Sequence, residues 1–266
     1  MSDAQALDLH DRSPYPNQRL EAASKPFHHE ATVIAMNKVI IKARSIARRI
    51  GLKRLYHRLV PQRSYEEKFH HEISAELRQG DSIWDVGANV GLYTKIFAEA
   101  VGSTGRVFAF EPLPETYEKL CRQTKDFPWV RNEQIALSDF DGSSRMLVGI
   151  TDRVGHLENF AGEASAGISV EVPVLCGDSY WAKSGMTPDL LKIDVEGFEE
   201  EVLAGMKSLL AAPELRAVFL EVHFGMLESR GRAEAPMRIE KLLRRNGLIP
   251  SWVDGSHIVA KRRQAD

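Results

Sequence analysis

Residues 81–100, DSIWDVGANVGLYTKIFAEA, run from a short apolar segment through a turn with two glycines and an asparagine into a helical pattern. In an open parallel sheet, ligands collect beyond the carboxyl ends of the strands, and the first strand-to-helix turn is the usual nucleotide contact. Glycine there removes the side chain that would hold a ligand off the backbone. Gly87 and Gly91 bracket Ala88, Asn89 and Val90, so the turn reads G-A-N-V-G rather than the G-x-G-x-x-G of dinucleotide folds. Asp85 sets a carboxylate near the strand end. Its charge opposes a pyrophosphate and suits an amino-acid ammonium. Farther on, RVFAFEPLP closes a second strand with Glu111, where an acidic residue accepts hydrogen bonds from ribose hydroxyls. Either feature alone suits a structural role; together, in strand, turn, helix, strand order, they imply a nucleoside.

Outward from that turn, apolar runs alternate with helical patterns. SIWDVG is followed by a helix from Gly91, RVFAFE by a helix from Pro114 to about Asp126, and then comes WVRNEQIALS. LLKIDV precedes a helix from Phe198 to about Leu210, and AVFLEVHF precedes a helix from Ala235 to Asn246. This alternation predicts an α/β fold with a mostly parallel, Rossmann-like sheet. Asp254-Gly255 between GLIPSWV and SHIVAK reads as a tight hairpin, so the sheet should end on an antiparallel strand. Between Asp141 and Leu175 the pattern loosens, leaving room for extra antiparallel strands and a mobile loop.

The net charge of −2 conceals two regions. Residues 31–63 hold nine Lys/Arg and no Asp/Glu, leaving 26 basic against 37 acidic residues, or −11, over the rest of the chain. Residues 1–30, with Pro14, Pro16 and Pro26 among polar residues, read as a mobile leader, and 31–66 as a basic amphipathic helical extension; 67–266 would be the catalytic domain. The basic helices are read either as packed on the main domain or as a peripheral surface for anionic lipid or an acidic partner. The leader lacks a secretory pattern and no long apolar run occurs, so a cytoplasmic location is expected. Cys121 and Cys176 lack metal or disulfide spacing and read as reduced, partly buried thiols. An acidic body without aromatic-basic interleaving argues against a nucleic-acid partner.

DVGANVGLYT (Asp85 to Thr94), VFAFEPLPETYEKL (Val107 to Leu120), IALSD (Ile135 to Asp139) and above all LLKIDVEGFEEEVLAGMKSLL (Leu190 to Leu210) resemble the FkbM-type S-adenosylmethionine-dependent methyltransferases, of the class I methyltransferase fold. The resemblance covers roughly Phe69 to Lys261. It implies S-adenosyl-L-methionine as cofactor, with Asp85, Gly87, Ala88, Asn89 and Gly91 at its methionine part. Glu111 and Pro112 fall at the ribose, Ala136, Leu137 and Ser138 near adenine, and Asp194 beside the cofactor. It further implies transfer to oxygen of a small molecule or saccharide. Family members carry a T-x-D-like element before the fourth strand; VLCGDSYW stands there, and only Asp178 corresponds.

Methyl transfer to a hydroxyl needs in-line approach and a base. Asp194 and Glu196 stand at the end of the fourth strand, and Glu221 and His223 at the end of the fifth. Strand alternation would point each pair to one face, so four polar groups converge on the acceptor, with His223 the base by its unperturbed pKa. Structural alternatives are a His223 satisfied by backbone, and Asp194 and Glu196 as caps of the helix beginning near Phe198. Carboxylates and imidazole near a cleft also suit Mg²⁺ or Mn²⁺, but nothing in the sequence fixes a geometry, and no metal is expected. His28-His29 and His70-His71 read as surface residues. Two rivals remain: a nicotinamide-dependent oxidoreductase, disfavoured by the missing G-x-G-x-x-G, and a non-catalytic scaffold that uses its basic helices on a membrane or partner. The oligomeric state is left open.

Overall fold

Strand β1 (Ser82–Val86) is buried at all five positions, as a central parallel strand covered on both faces must be. It belongs to a computed structural model that describes residues 63–148, 155–157 and 168–263. The leader and the basic run as far as residue 62 lie outside the described residues, as do 149–154 and 158–167 of the loosely patterned segment. The first described element, helix α1 (Arg63–Glu76), runs across the boundary expected at residues 66 and 67.

After β1 come α2 (Leu92–Val101), β2 (Arg106–Phe110), α3 (Pro114–Thr124), β3 (Val130–Glu133) and β4 (Ala136–Ser138). The loosely patterned segment supplies β5 (Gly142–Val148), β6 (Gly155–Leu157) and β7 (Ile168–Cys176), followed by α4 (Gly177–Ser184) and β8 (Leu190–Ile193). Then follow α5 (Glu199–Ala204), α6 (Lys207–Ala211), β9 (Ala217–Glu221), α7 (Phe224–Ser229), α8 (Ala235–Arg245), β10 (Leu248–Trp252) and β11 (His257–Arg262). Seven strands form the main sheet in the order β10-β11-β9-β8-β1-β2-β3. From β9 to β3 the pairs are parallel, and β11 lies antiparallel between β9 and β10. The final antiparallel strand is therefore present, and the hairpin sends it inside β10 rather than to the sheet edge.

Alternation along the strands divides the core. Trp84, Val86, Leu191, Ile193, Val218 and Leu220 face α5 through α8, while Ile83, Leu190 and Phe219 face α1 and α2 with Phe69, Ile73 and Phe97. Burial of these two faces is the main stabilising term.

WVRNEQIALS divides between two sheets. Val130–Glu133 edges the main sheet, whereas Ala136–Ser138 pairs with β7 in a four-stranded sheet ordered β4-β7-β5-β6. The helix expected over 198–210 also divides, at Gly205. A Cβ on Gly205 would lie 1.8 Å from the Ser138 carbonyl oxygen, so the chain crosses β4 at backbone contact distance there. Among the described residues no helix is long and apolar enough to cross a membrane. His70 and His71 are exposed, and Cys121 and Cys176 are partly buried free thiols, as expected.

Candidate active site

The turn after β1 is held by two interlocking contacts. The Gly87 and Ala88 N–H groups donate to the Phe110 carbonyl at 3.1 and 3.0 Å, fixing the turn to the end of β2. A Cβ on Gly87 would stand 1.9 Å from the Asp194 carbonyl oxygen, so only glycine lets the turn pack on the end of β8. Gly87, Asn89 and Gly91 all have left-handed backbone, with φ of 78°, 52° and 93°. Asn89 tolerates this because its Oδ1 accepts the Val90 N–H at 2.8 Å. The outer residues Asn89, Val90 and Leu92 are exposed, so the turn opens to solvent.

Glu111 joins this turn. Its Oε2 accepts the Asn89 N–H and its Oε1 the Leu113 N–H, each at 3.0 Å. Each oxygen keeps a further acceptor site, the pattern that two neighbouring hydroxyls require. Burial pushes the carboxyl up to about 7, outweighing the pull of the two amides and of Lys192. Pro112 follows, half-buried.

Asp85 departs from expectation. It is fully buried; the Thr94 hydroxyl donates to its Oδ2 at 2.6 Å, and Lys192 Nζ lies 3.3 Å from its Oδ1. The β1-β8 register sets Asp85 beside Lys192. The ammonium that Asp85 receives is thus the protein's own. Lys192 also donates to the Gly87 carbonyl at 3.3 Å and lies 3.5 Å from Asp194 Oδ2. Burial opposes its charge, but Asp85 and Asp194 outweigh burial and hold it protonated. Sequence reading passed over this residue, although a lysine inside the otherwise apolar L-L-K-I was its signal.

Asp194, Glu196, Glu221 and His223 do converge, though turns bring them together more than strand alternation does. β8 ends at Ile193 and β9 at Glu221, and His223 directly precedes α7. Glu196 has φ 49°, a left-handed conformation uncommon for a residue with a side chain. His223 Nε2 lies 3.2 Å from Glu196 Oε2 and 3.7 Å from both Asp194 Oδ1 and Glu221 Oε1. Behind the ring, Nδ1 meets Glu199 Oε1 at 2.8 Å. The same oxygen accepts the Gly197 N–H at 2.8 Å and the His223 N–H at 3.3 Å. Glu199 is fully buried and was not anticipated, being one of three consecutive glutamates. The N-cap position of α5, Phe198, supplies no side-chain cap.

Electrostatics change the role expected of His223. Burial disfavours its charge, but Glu199, then Glu196 and Asp194, outweigh burial and raise the ring to about 9. At neutral pH it carries a proton instead of standing ready as a base. Burial raises the Glu196 carboxyl, in part against the pull of His223. Glu221 is drawn down despite burial by the neighbouring rings of His257 and His223. His257, set beside Glu221 by the β9-β11 register, has Nε2 at 3.6 Å from Glu221 Oε2 and Nδ1 at 2.7 Å from Asp254 Oδ2.

The residues expected near adenine face inward. Ala136, Leu137 and Ser138 are buried, with Leu137 in the main core and Ser138 Oγ 3.3 Å from Asp139 Oδ1. Asp178 accepts the Ser208 and Leu209 N–H groups at 2.9 Å each, capping α6.

Residues 85–249 match the model of the methyltransferase FkbM domain. The chain is 30% identical over 154 residues to the hexuronic acid methyltransferase AglP of Haloferax volcanii, covering 57% of this chain and 59% of that protein. It is 30% identical over 200 residues to the 31-O-demethyl-FK506 methyltransferase FkbM of Streptomyces tacrolimicus, covering 64% of this chain and 74% of that one. The fibrillarin of Aeropyrum pernix, solved with S-adenosyl-L-methionine, matches at 14% identity and a TM-score of 0.42 over 70% of this chain and 67% of that one.

Proposed function

The chain belongs to the methyltransferase FkbM domain family, and from that premise we propose that it transfers a methyl group from S-adenosyl-L-methionine to a hydroxyl oxygen of a small molecule or saccharide. The observation that carries the reading is Glu111, a carboxylate with one loop amide on each oxygen and an acceptor site left on each, at the rim of an open turn of left-handed residues.

In this reading Glu111 holds the ribose and the turn from Gly87 to Gly91 holds the amino-acid end. Lys192 ties the turn to Asp194, so the cofactor side and the acceptor side share one buried cation. The buried side chains of Ala136, Leu137 and Ser138 leave only the local backbone for contact with adenine. Bound here, the sulfonium supplies an electrophilic methyl group and a neutral thioether as leaving group. Asp194, Glu196, Glu221 and His223 then orient the acceptor hydroxyl, and their carboxylates take up its proton. A hydroxyl on a hexuronic acid or on a small molecule such as 31-O-demethyl-FK506 is the acceptor class suggested by the names of AglP and FkbM. The basic run of residues 31–63 enters the reading only as a contact for anionic lipid or an acidic partner, in a cytoplasmic enzyme.

Isothermal titration of S-adenosylmethionine and S-adenosylhomocysteine into the full chain tests this. Glu111→Ala should weaken binding about tenfold, or roughly 1.4 kcal/mol. A parent chain that binds neither would overturn the reading in favour of a scaffold acting through its basic segment.

A further inference from the structure

Beyond this assignment, we propose that Asp194, Glu196 and His223 form a site for a divalent cation of the Mg²⁺ or Mn²⁺ type, at which the acceptor's oxygen completes the coordination. Each residue offers one donor atom, and all three atoms lie within 4.8 Å of one another. The Nε2 distances of 3.2 Å to Glu196 Oε2 and 3.7 Å to Asp194 Oδ1 are near the spacing of neighbouring ligands. Around an ion with bonds of about 2.1 Å, adjacent donors stand about 3 Å apart and opposed donors about 4.2 Å. Asp194 and Glu196 are about one-third exposed, with side-chain accessibilities of 29% and 33%, so small rotations close the remainder.

The donors are oriented from behind. Glu199 on Nδ1 fixes the ring so that an ion would take the place of the proton that Nε2 carries at neutral pH, the carboxylate-histidine arrangement common at metal centres. Lys192 on Oδ2 of Asp194 leaves Oδ1. Two carboxylates, one imidazole and no thiolate suit a hard ion that keeps open positions, and differ from the closed four-ligand sites of structural zinc.

An independent observation is the charge of the surroundings. Asp85, Asp194, Glu196, Glu199, Glu221 and Asp254 share Lys192, His223 and His257, six acids to three bases. Glu199 is fully buried, and its Oε2 accepts no hydrogen bond. An excess of acids over bases around one cleft favours a doubly charged cation there. The role of the ion, though not its binding, rests on the methyl-transfer reading: it would polarise the acceptor hydroxyl. The O–H proton passes to Glu221, and the O–methyl bond forms as the sulfur–methyl bond breaks with its electron pair left on sulfur.

The test is titration of chelator-treated full chain with Mn²⁺, reading free ion by its electron paramagnetic resonance signal, beside S-adenosylmethionine calorimetry on the same preparation. One Mn²⁺ per chain is expected, with affinity lowered at least tenfold by Glu196→Gln and by Asp194→Asn in variants that melt like the parent. No uptake by the parent, or uptake unaltered in both folded variants, overturns the site. S-Adenosylmethionine binding without Mn²⁺ uptake would sink this inference alone. Mn²⁺ uptake without S-adenosylmethionine binding would support the site and count against the methyltransferase reading.

Discussion

Glu196 carries two burdens at once. Its carboxylate faces the protonated His223 at 3.2 Å, and its backbone holds φ 49° so that the chain can turn from β8 into α5. A left-handed residue with a side chain costs on the order of 1–2 kcal/mol relative to one in an ordinary conformation. Glycine would relieve that cost, partly offset by its greater freedom in the unfolded chain. Two variants separate charge from backbone, because Glu196→Gln and Glu196→Gly both remove the carboxylate but only the second removes the strain. In urea unfolding the glycine variant should be the more stable of the two by about 1 kcal/mol, while neither supports methyl transfer. A glutamine variant equal to or more stable than the glycine one would mean that the turn is not strained at this residue.

At the scale of elements, the parallel strands and the hairpin were legible because each signal was local. SIWDV, LLKI and AVFLE are apolar runs of strand length between helical patterns, and Asp254-Gly255 marks its own turn. What escaped depends on approach between distant segments. Nothing near Gly205 in the sequence says that Ser138 O will lie beneath it, yet that approach falls where the helix parts into α5 and α6 and where β4 pairs outside the main sheet. The site shows the same division. Glu111 and the turn declare themselves by position, whereas Lys192 and Glu199 matter only through partners that register and folding bring to them. Asp85 shows the same limit, since the cation beside it comes from β8. Gly205→Ala tests the approach: a Cβ 1.8 Å from a backbone oxygen must displace one element, at a cost of about 3 kcal/mol in urea unfolding. A variant as stable as the parent would show that α5 and β4 are not held at contact distance.

At the scale of the molecule, His257 joins segments far apart in the chain. Its ring stacks on Phe69 of α1 at 4.1 Å, its Nδ1 meets Asp254 in the hairpin, and its Nε2 faces Glu221 at the end of β9. Nearby, Lys261 of β11 reaches Glu72 and Glu76 of α1 at 3.1 and 2.9 Å. Burial disfavours the charged ring, but Asp254 and Glu221 outweigh burial and raise His257 from 6.5 to about 9. A histidine bound more tightly to its proton in the folded state contributes its full stabilisation below the unfolded value and loses it as pH rises through the folded one. The window is therefore pH 6.5 to 9, and the contribution is about 3 kcal/mol at most. His223 rises to about 9 as well, so the parent's profile alone does not isolate His257. Asp254→Asn keeps a hydrogen-bonding side chain beside the ring but removes its charge. The parent's urea midpoint should fall between pH 6.5 and 9.5, and the variant should start lower and fall less. Parallel profiles for the two proteins would mean that the charged ring does not tie the C-terminal hairpin to the sheet, leaving that task to the stacking on Phe69 and the Lys261 ion pairs.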